Sequence, residues 1–295
     1  MLNQTIQTIR DKLGIDNILL NQGKLLSEIL CEKEINYLNE ASFKIFSQWG
    51  EDGIIQYIIN NISLDKKTFI EFGVEDFYES NCRFLLQNNN WEGFIIDGSK
   101  KNINKIKSSK FYWKHNLKAI DRFITKENIC NILENSSFDK KKLGILSIDL
   151  DGIDWYVLRE LDEWEPAIYS VEYNSLFKDK PWTIPYNEKF TRRNYHYSNI
   201  IYGAGLICFK NTLKERGYKL IGVNEQRSNA FFIKNSLLNE TINSLKLPEN
   251  LFNSKFREAR NREGKLIYKS QAEMRNKLKG LPVINTLTMQ EEKFF

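Results

Sequence analysis

This chain of 295 residues is poor in several features that would mark it as a particular class of protein. Its four cysteines, Cys31, Cys82, Cys130 and Cys208, are far apart and form no C-x-x-C pair. That argues against a disulfide framework and leaves buried free thiols in a reducing, cytoplasmic compartment as the simplest account. Five prolines and fifteen glycines are too few for long disordered linkers. No run approaches the length of a membrane span, so none is expected. The first residues mix polar and apolar side chains at helical spacing and contain no apolar signal core. Basic residues are scattered, and a net charge of +5 with no recognised motif gives no reason to expect a nucleic-acid partner. Only two histidines exist, His115 and His196, which leaves few imidazoles for proton transfer.

What is present is an alternation of short apolar runs with amphipathic segments. Residues 1–40 read as a helical segment, with Ile15, Ile18, Leu19, Leu25, Leu26, Ile29 and Leu30 at roughly helical intervals. Such a prelude packs on the domain or pairs subunits in a homo-oligomer. From 41 to 235 the runs "KTFIEFGV", "WEGFIID", "KFYWKHNLKA", "KKLGILSIDLD" and "PAIYSVEYN" predict strands separated by helices. This spacing implies an α/β fold with a mostly parallel sheet. "KLIGVN" and "NAFFIK" are too close for a parallel crossover and predict an antiparallel hairpin at its end. Residues 236–295 read as a polar, partly helical extension containing the apolar segment "GLPVINTL".

Open α/β sheets bind ligands beyond the carboxyl ends of their strands. The predicted ends carry Glu71 and Gly73, then Asp97, with His115 and Asn116 near the third strand. Asp149 and Asp151 follow the fourth, and Glu172 and Asn174 the fifth. The turn "EFGVED" lacks a full G-x-G-x-x-G, so a pyrophosphate cradle is not expected. Asp97 is placed to grip a ribose diol, which together with Glu71 and Gly73 suggests an adenosine-type ligand such as S-adenosylmethionine. The competing account is that Glu71 and Asp97 are strand-end polar caps.

The stretch "LSIDLDGIDWYVL" adds Asp149, Asp151 and Asp154. An EF-hand is excluded because Ile153 falls on a ligand position and the glycine comes too early. Asp149, Asp151 and Glu172 could instead converge on a divalent ion (Mg, Mn or Fe), since clustered acids repel unless protonated or bridged. A D-x-D pair also suits a metal-dependent glycosyltransferase. The alternative is that the acids are solvated and one of them, best Asp154, caps the next helix. Asp149 and His196 are the candidate proton acceptors, His196 lying in the aromatic and basic loop "RRNYHYSNIIYG". Arg192 and Arg193 in that loop could hold a phosphate. Thr125 is the expected N-cap of the helix in "TKENICNILENS".

In this order, "FSQWGEDGII", "FIEFGVEDFYESN", "GFIIDGSKKNI", "LSIDLDGIDWYVL" and "VEYNSLF" resemble the FkbM-like S-adenosylmethionine-dependent methyltransferases. "TIPYNEKF", "YGAGL", "GYKLIGVN" and "NAFFIK" also fit, so the likeness covers roughly residues 44–234. It implies a class I methyltransferase fold, Rossmann-like, of about seven strands with an antiparallel final strand. It also implies that Glu71, Gly73 and the Ser47–Gln48 loop lie at the methionine part of the cofactor and that Asp97 binds the ribose. The implied reaction is O-methylation of a sugar hydroxyl, on a nucleotide-activated sugar of surface-glycan or capsule polysaccharide biosynthesis. Related macrocin-type enzymes use a divalent ion held by strand-end acids, which favours the metal reading of Asp149, Asp151 and Glu172. Against these stand the glycosyltransferase and a non-catalytic binding subunit of the same fold.

Overall fold

The computed structural model describes residues 13–255 and 259–295. The sequence expectations for residues 1–12 lie outside the described residues. The first described helix, α1 (Ile15–Cys31), follows the apolar spacing read from the sequence. It packs against α2 (Glu51–Asn61) and α3 (Arg83–Asn88), while Ile18, Leu25 and Ile29 remain exposed.

The central sheet is built from β1 (Thr68–Phe72), β2 (Glu92–Asp97), β3 (Leu117–Asp121), β4 (Ile145–Ile148), β5 (Ile168–Glu172), β7 (Tyr218–Val223) and β8 (Asn229–Lys234). Its seven strands run in the order β3-β2-β1-β4-β5-β8-β7. The pairs among β1 to β5 are parallel, and β8 is antiparallel to both neighbours. This is the class I methyltransferase arrangement expected above. The hairpin is present, with β8 inserted between β5 and β7.

Helices cover both faces, so the strands are apolar throughout rather than alternating. Successive side chains still point to opposite faces. Ile70, Phe72, Phe94, Ile96, Leu146 and Ile148 enter one core, and Phe69, Ile95 and Ile145 the other. The helices between strands are α4 (Lys100–Lys107), α5 (Lys110–Lys114), α6 (Ile129–Glu134) and α7 (Asp154–Glu160).

Two local expectations are corrected. "KFYWKHNLKA" splits into α5 and β3, and His115 follows α5 at the amino end of β3. His115 therefore sits at the edge of the sheet opposite Asp121 and the other strand ends. Thr125 does not cap α6. Instead the Asn128 Oδ1 accepts a hydrogen bond from the Thr125 backbone N–H at 2.9 Å.

Beyond the sheet come β6 (Trp182–Thr183), α8 (Arg192–Tyr195), α9 (Leu206–Glu215), α10 (Glu240–Ser244) and α11 (Gln271–Leu278). Gly217 follows α9 at φ 80°, a left-handed residue that closes the helix. The last strands, β9 (Pro282–Asn285) and β10 (Gln290–Lys293), form a second sheet with β6 in the order β10-β9-β6. Met274, Leu278, Val283 and Phe294 are buried in the same core as the main sheet. The C-terminal extension thus packs into the body of the protein.

Candidate active site

The strand order reverses between β1 and β4, the place where open α/β sheets leave a crevice. A cavity of about 810 Å³ lies there. It is large enough for a cofactor together with part of a second ligand. Glu71, Gly73, Asp97, Asp149, Asp151, Glu172 and Gln48 all line it. Ser47 and His196 do not.

At the end of β1, Glu71 is 3% exposed. Its carboxylate accepts from the Ser80 hydroxyl at 2.6 Å and from the backbone N–H groups of Asn81 at 2.8 Å and Cys82 at 3.2 Å. Burial pushes its pKa from 4.5 up to about 7, and those hydrogen bonds hold it from rising further. An ionised carboxylate offers about four lone-pair positions. On Glu71 three are taken by the Ser80 hydroxyl and the Asn81 and Cys82 N–H groups, and the Cys82 thiol also bonds to the carboxylate.

Asp97 has the same construction. Its Oδ1 accepts from Ser99 N–H at 2.8 Å and Asn102 Nδ2 at 3.3 Å, and its Oδ2 from Glu75 N–H at 2.8 Å. These bonds fix the carboxylate at the cavity wall with one acceptor position unused. Phe123, half-exposed beside Gly98, lines the same region with Ile124.

Gly73 adopts φ 69°, and a Cβ there would collide with the backbone carbonyl oxygen of Asp149. The ends of β1 and β4 approach so closely that only glycine fits. This close approach forms a cradle between the first acid pair and the second.

The "SQWGED" loop before α2 is organised by two buried acids that sequence reasoning missed. Asp52 Oδ2 accepts from the backbone N–H groups of Ile45, Phe46 and Ser47, each at 2.7 Å, and from the Ser47 hydroxyl at 2.9 Å. Ser47 is thus occupied in shaping the loop, and it is Gln48 that faces the cavity. Burial raises the Asp52 pKa to about 6 against those hydrogen bonds. Glu51 accepts from Trp49 N–H and from the Asn224 and Asn229 side-chain amides, tying the loop to β7 and β8. The signal was available: two adjacent acids in the first turn of a predicted helix.

On the far side of Gly73, β4 stops at Ile148, and Asp151 already sits at φ 55°. The chain turns here, so Asp149 and Asp151 do not share the face that an extended strand would give them. The turn brings them together instead, and one oxygen from each lies within 4.8 Å of the others and of a Glu172 oxygen. Asp154 is the first residue of α7 and does not cap it. Its carboxylate reaches back to the N–H groups of Leu150 at 2.6 Å and Gly152 at 3.0 Å, closing the turn. Burial raises its pKa to about 6.

Burial, and then the charges of Asp151 and Asp154, push the Asp149 pKa well up; Arg192 and a hydrogen bond with Glu172 act in the opposite direction. The Glu172 pKa is raised by burial and by Asp149. Two carboxyls this close share a proton instead of both ionising.

Arg192, read from the sequence as a candidate phosphate holder, is turned into the acid cluster instead. Its Nη1 lies 2.7 Å from Asp151 Oδ1 and its Nη2 3.6 Å from Glu172 Oε1. Its guanidinium stacks 3.4 Å above the ring of the buried Tyr202. Burial works against its charge, but Tyr202, Glu172, Asp151 and Asp149 outweigh that and raise its pKa. Arg192 and Arg193 both line the cavity, as do Arg122 and Arg260. His196 is turned to Ser198, with Nδ1 2.5 Å from that hydroxyl. Burial, Lys277 and Arg262 lower its pKa.

No protein-family model matches this sequence, and no curated protein matches it. Among solved structures it is similar to the CurJ carbon methyltransferase, with a TM-score of 0.36, 12% identity, and 62% of this chain covering 52% of that one. It is also similar to M. capricolum TrmK bound to S-adenosyl-homocysteine, with a TM-score of 0.34, 13% identity, and coverage of 62% and 70%. A third is the precorrin-6y C5,15-methyltransferase of Geobacter metallireducens, with a TM-score of 0.36, 10% identity, and coverage of 65% and 90%. Likenesses of this order carry no residue-level correspondence.

Proposed function

We propose that this chain is an S-adenosylmethionine-dependent O-methyltransferase of the FkbM-like kind. The proposed acceptor is a sugar hydroxyl on a nucleotide-activated sugar of surface-glycan biosynthesis. The observation that carries the reading is a single cavity at the β1/β4 switch, walled on one side by Glu71, Gly73 and Asp97 and on the other by Asp149 and Glu172. The ordered motifs that resemble the FkbM-like group support the same reading.

The residues fit the cofactor. Asp97 keeps one carboxylate position for a ribose hydroxyl, Phe123 offers a ring to an adenine, and Glu71 faces the region left for the methionine part. When bound, S-adenosylmethionine would supply an electrophilic methyl group. A sugar hydroxyl is a poor nucleophile, so the protein must orient it and take its proton. Asp149 is the group for this role. Burial and the neighbouring acids raise its pKa, which makes it the stronger proton acceptor once it is ionised. Glu172 can hold the proton the pair shares, which leaves Asp149 ionised to accept the one from the hydroxyl, and Arg192 holds Asp151 and Glu172 in place. His196 lies outside the cavity wall, which leaves the proton to Asp149. Arg122, Arg193 and Arg260 supply positive charge for the phosphates of an activated sugar. The exposed Ile18, Leu25 and Ile29 of α1 support self-association through the N-terminal helix.

Titration calorimetry with S-adenosylhomocysteine tests the cofactor, and methyl transfer to a panel of nucleotide sugars tests the acceptor. Asp149→Asn should lower kcat by about 100-fold or more and leave S-adenosylhomocysteine affinity nearly unchanged. Binding of a nucleoside diphosphate alone, with no S-adenosylhomocysteine bound, would move the assignment to a glycosyltransferase.

A further inference from the structure

The resemblance to metal-using sugar methyltransferases makes Asp149, Asp151 and Glu172 the natural ligands for a divalent ion, and one oxygen from each can meet the others within 4.8 Å. The donor set as built does not fit that ion, because the cluster already contains a cation. Arg192 contacts two of the three acids, at 2.7 Å and 3.6 Å. A divalent ion shared by those oxygens would lie within a few ångströms of a permanent positive charge, and at such distances two cations repel strongly even with partial screening.

Nor is Arg192 a loose surface side chain. It is three-quarters buried, bonded on one side, and stacked on the ring of Tyr202 on another. Swinging it out to admit a metal would break the ion pair with Asp151 and the stacking together. It would also leave the Tyr202 face open to water. A hard ion such as Mg²⁺ demands near-octahedral oxygen geometry and dehydrates reluctantly, so it competes poorly for such a site.

We infer that Arg192 is the resident cation of this acid cluster, that it stands where a divalent ion would otherwise be needed, and that the cluster works without metal. Arg192 is then a positioning residue: it holds Asp151 and Glu172, and through Glu172 it orients Asp149. The inference concerns the same cavity as the proposed methyl transfer, but its test requires no turnover.

Mn²⁺ is the probe, read by electron paramagnetic resonance and by calorimetry on the purified full chain. Wild type should take up no stoichiometric Mn²⁺ at the cluster. Arg192→Met keeps an apolar stem on Tyr202 and removes the charge. It should gain one Mn²⁺ site at least about tenfold tighter than anything in wild type, and adding Asp149→Asn to it should abolish that site. Arg192→Ala serves as the second variant, with thermal melts of both establishing that they fold. The inference is overturned if wild type already binds one Mn²⁺ with the affinity of Arg192→Met and loses it in Asp149→Asn. It is equally overturned if folded Arg192→Met and Arg192→Ala gain no site. S-adenosylhomocysteine titration of the same preparations reports separately on the methyltransferase reading, which stands or falls without reference to Mn²⁺.

Discussion

Glu71 links stability, pH and ligand binding, and its substitution by glutamine makes the linkage measurable. In the unfolded chain its carboxyl titrates near 4.5, and burial in the fold moves it to about 7. Below about pH 4.5 both states hold the proton. Between that value and about 7 the folded state keeps a proton that the unfolded state has released, so stability falls as pH rises through this window. A shift of this size corresponds to about 3 kcal/mol over the whole window, an upper figure for a buried group that keeps three hydrogen bonds. Glu71→Gln has no such titration. Its amide oxygen can still accept from Ser80 and Cys82, but its NH₂ then faces the Asn81 backbone N–H, which costs about 1–2 kcal/mol at every pH. Urea unfolding of both proteins at about pH 5, 6, 7 and 8 gives the difference directly. Wild type should be the more stable protein at the acid end, and its advantage should shrink by about 2–3 kcal/mol by the alkaline end. A difference that is constant across the series, or that grows with pH, would refute the assignment of a raised pKa to this buried carboxyl.

Three further predictions concern the cavity wall. Asp97→Ala removes the acceptor proposed for the ribose hydroxyls, and calorimetry should show S-adenosylhomocysteine affinity reduced by about ten- to a hundredfold; unchanged affinity in a folded variant would displace the cofactor from this wall. Phe123→Ala should weaken S-adenosylhomocysteine binding by about tenfold through lost stacking on the adenine, with little change in melting temperature because the ring is half-exposed. Gly73→Ala should cost about 2 kcal/mol or more in chemical denaturation, from the left-handed backbone and the collision with the Asp149 carbonyl; wild-type stability in this variant would mean that β1 and β4 do not meet as described.

Much of the architecture is legible in the sequence because a doubly covered parallel sheet leaves a local signature. "TFIEF" and "ILSI" are apolar on both faces, and the distance between such runs leaves room for a helix. The hairpin was legible because residues 224–228 cannot span a crossover. The third strand was misread at its start. Phe111, Tyr112 and Trp113 have strand-like side chains, yet they form α5, where Phe111 and Tyr112 pack on the core beneath the sheet. Aromatic propensity lost to tertiary packing there, and the error carried His115 to the wrong end of a strand.

The strand-end acids were legible for a related reason: strand ends are identified by position, and position alone places Glu71, Asp97, Asp149 and Glu172 around one crevice. Their partners were not legible, because a partner is chosen by turn geometry. Asp149, Asp151 and Asp154 show how far this goes. They are chemically identical and lie within six positions, yet they end in three different electrostatic settings. Asp154 is buried against Leu150 and Gly152 N–H groups, Asp151 turns through φ 55° to meet Arg192, and Asp149 is left beside Glu172. Two of those partners come from distant chain, so spacing carries no trace of them. Arg192 and Arg193 make the converse case: they are adjacent in a short helix and both line the cavity, yet it is Arg192 that pairs with the acid cluster. The acid cluster can therefore be foreseen from the sequence, whereas the cation that balances it depends on which way α8 presents its first residue.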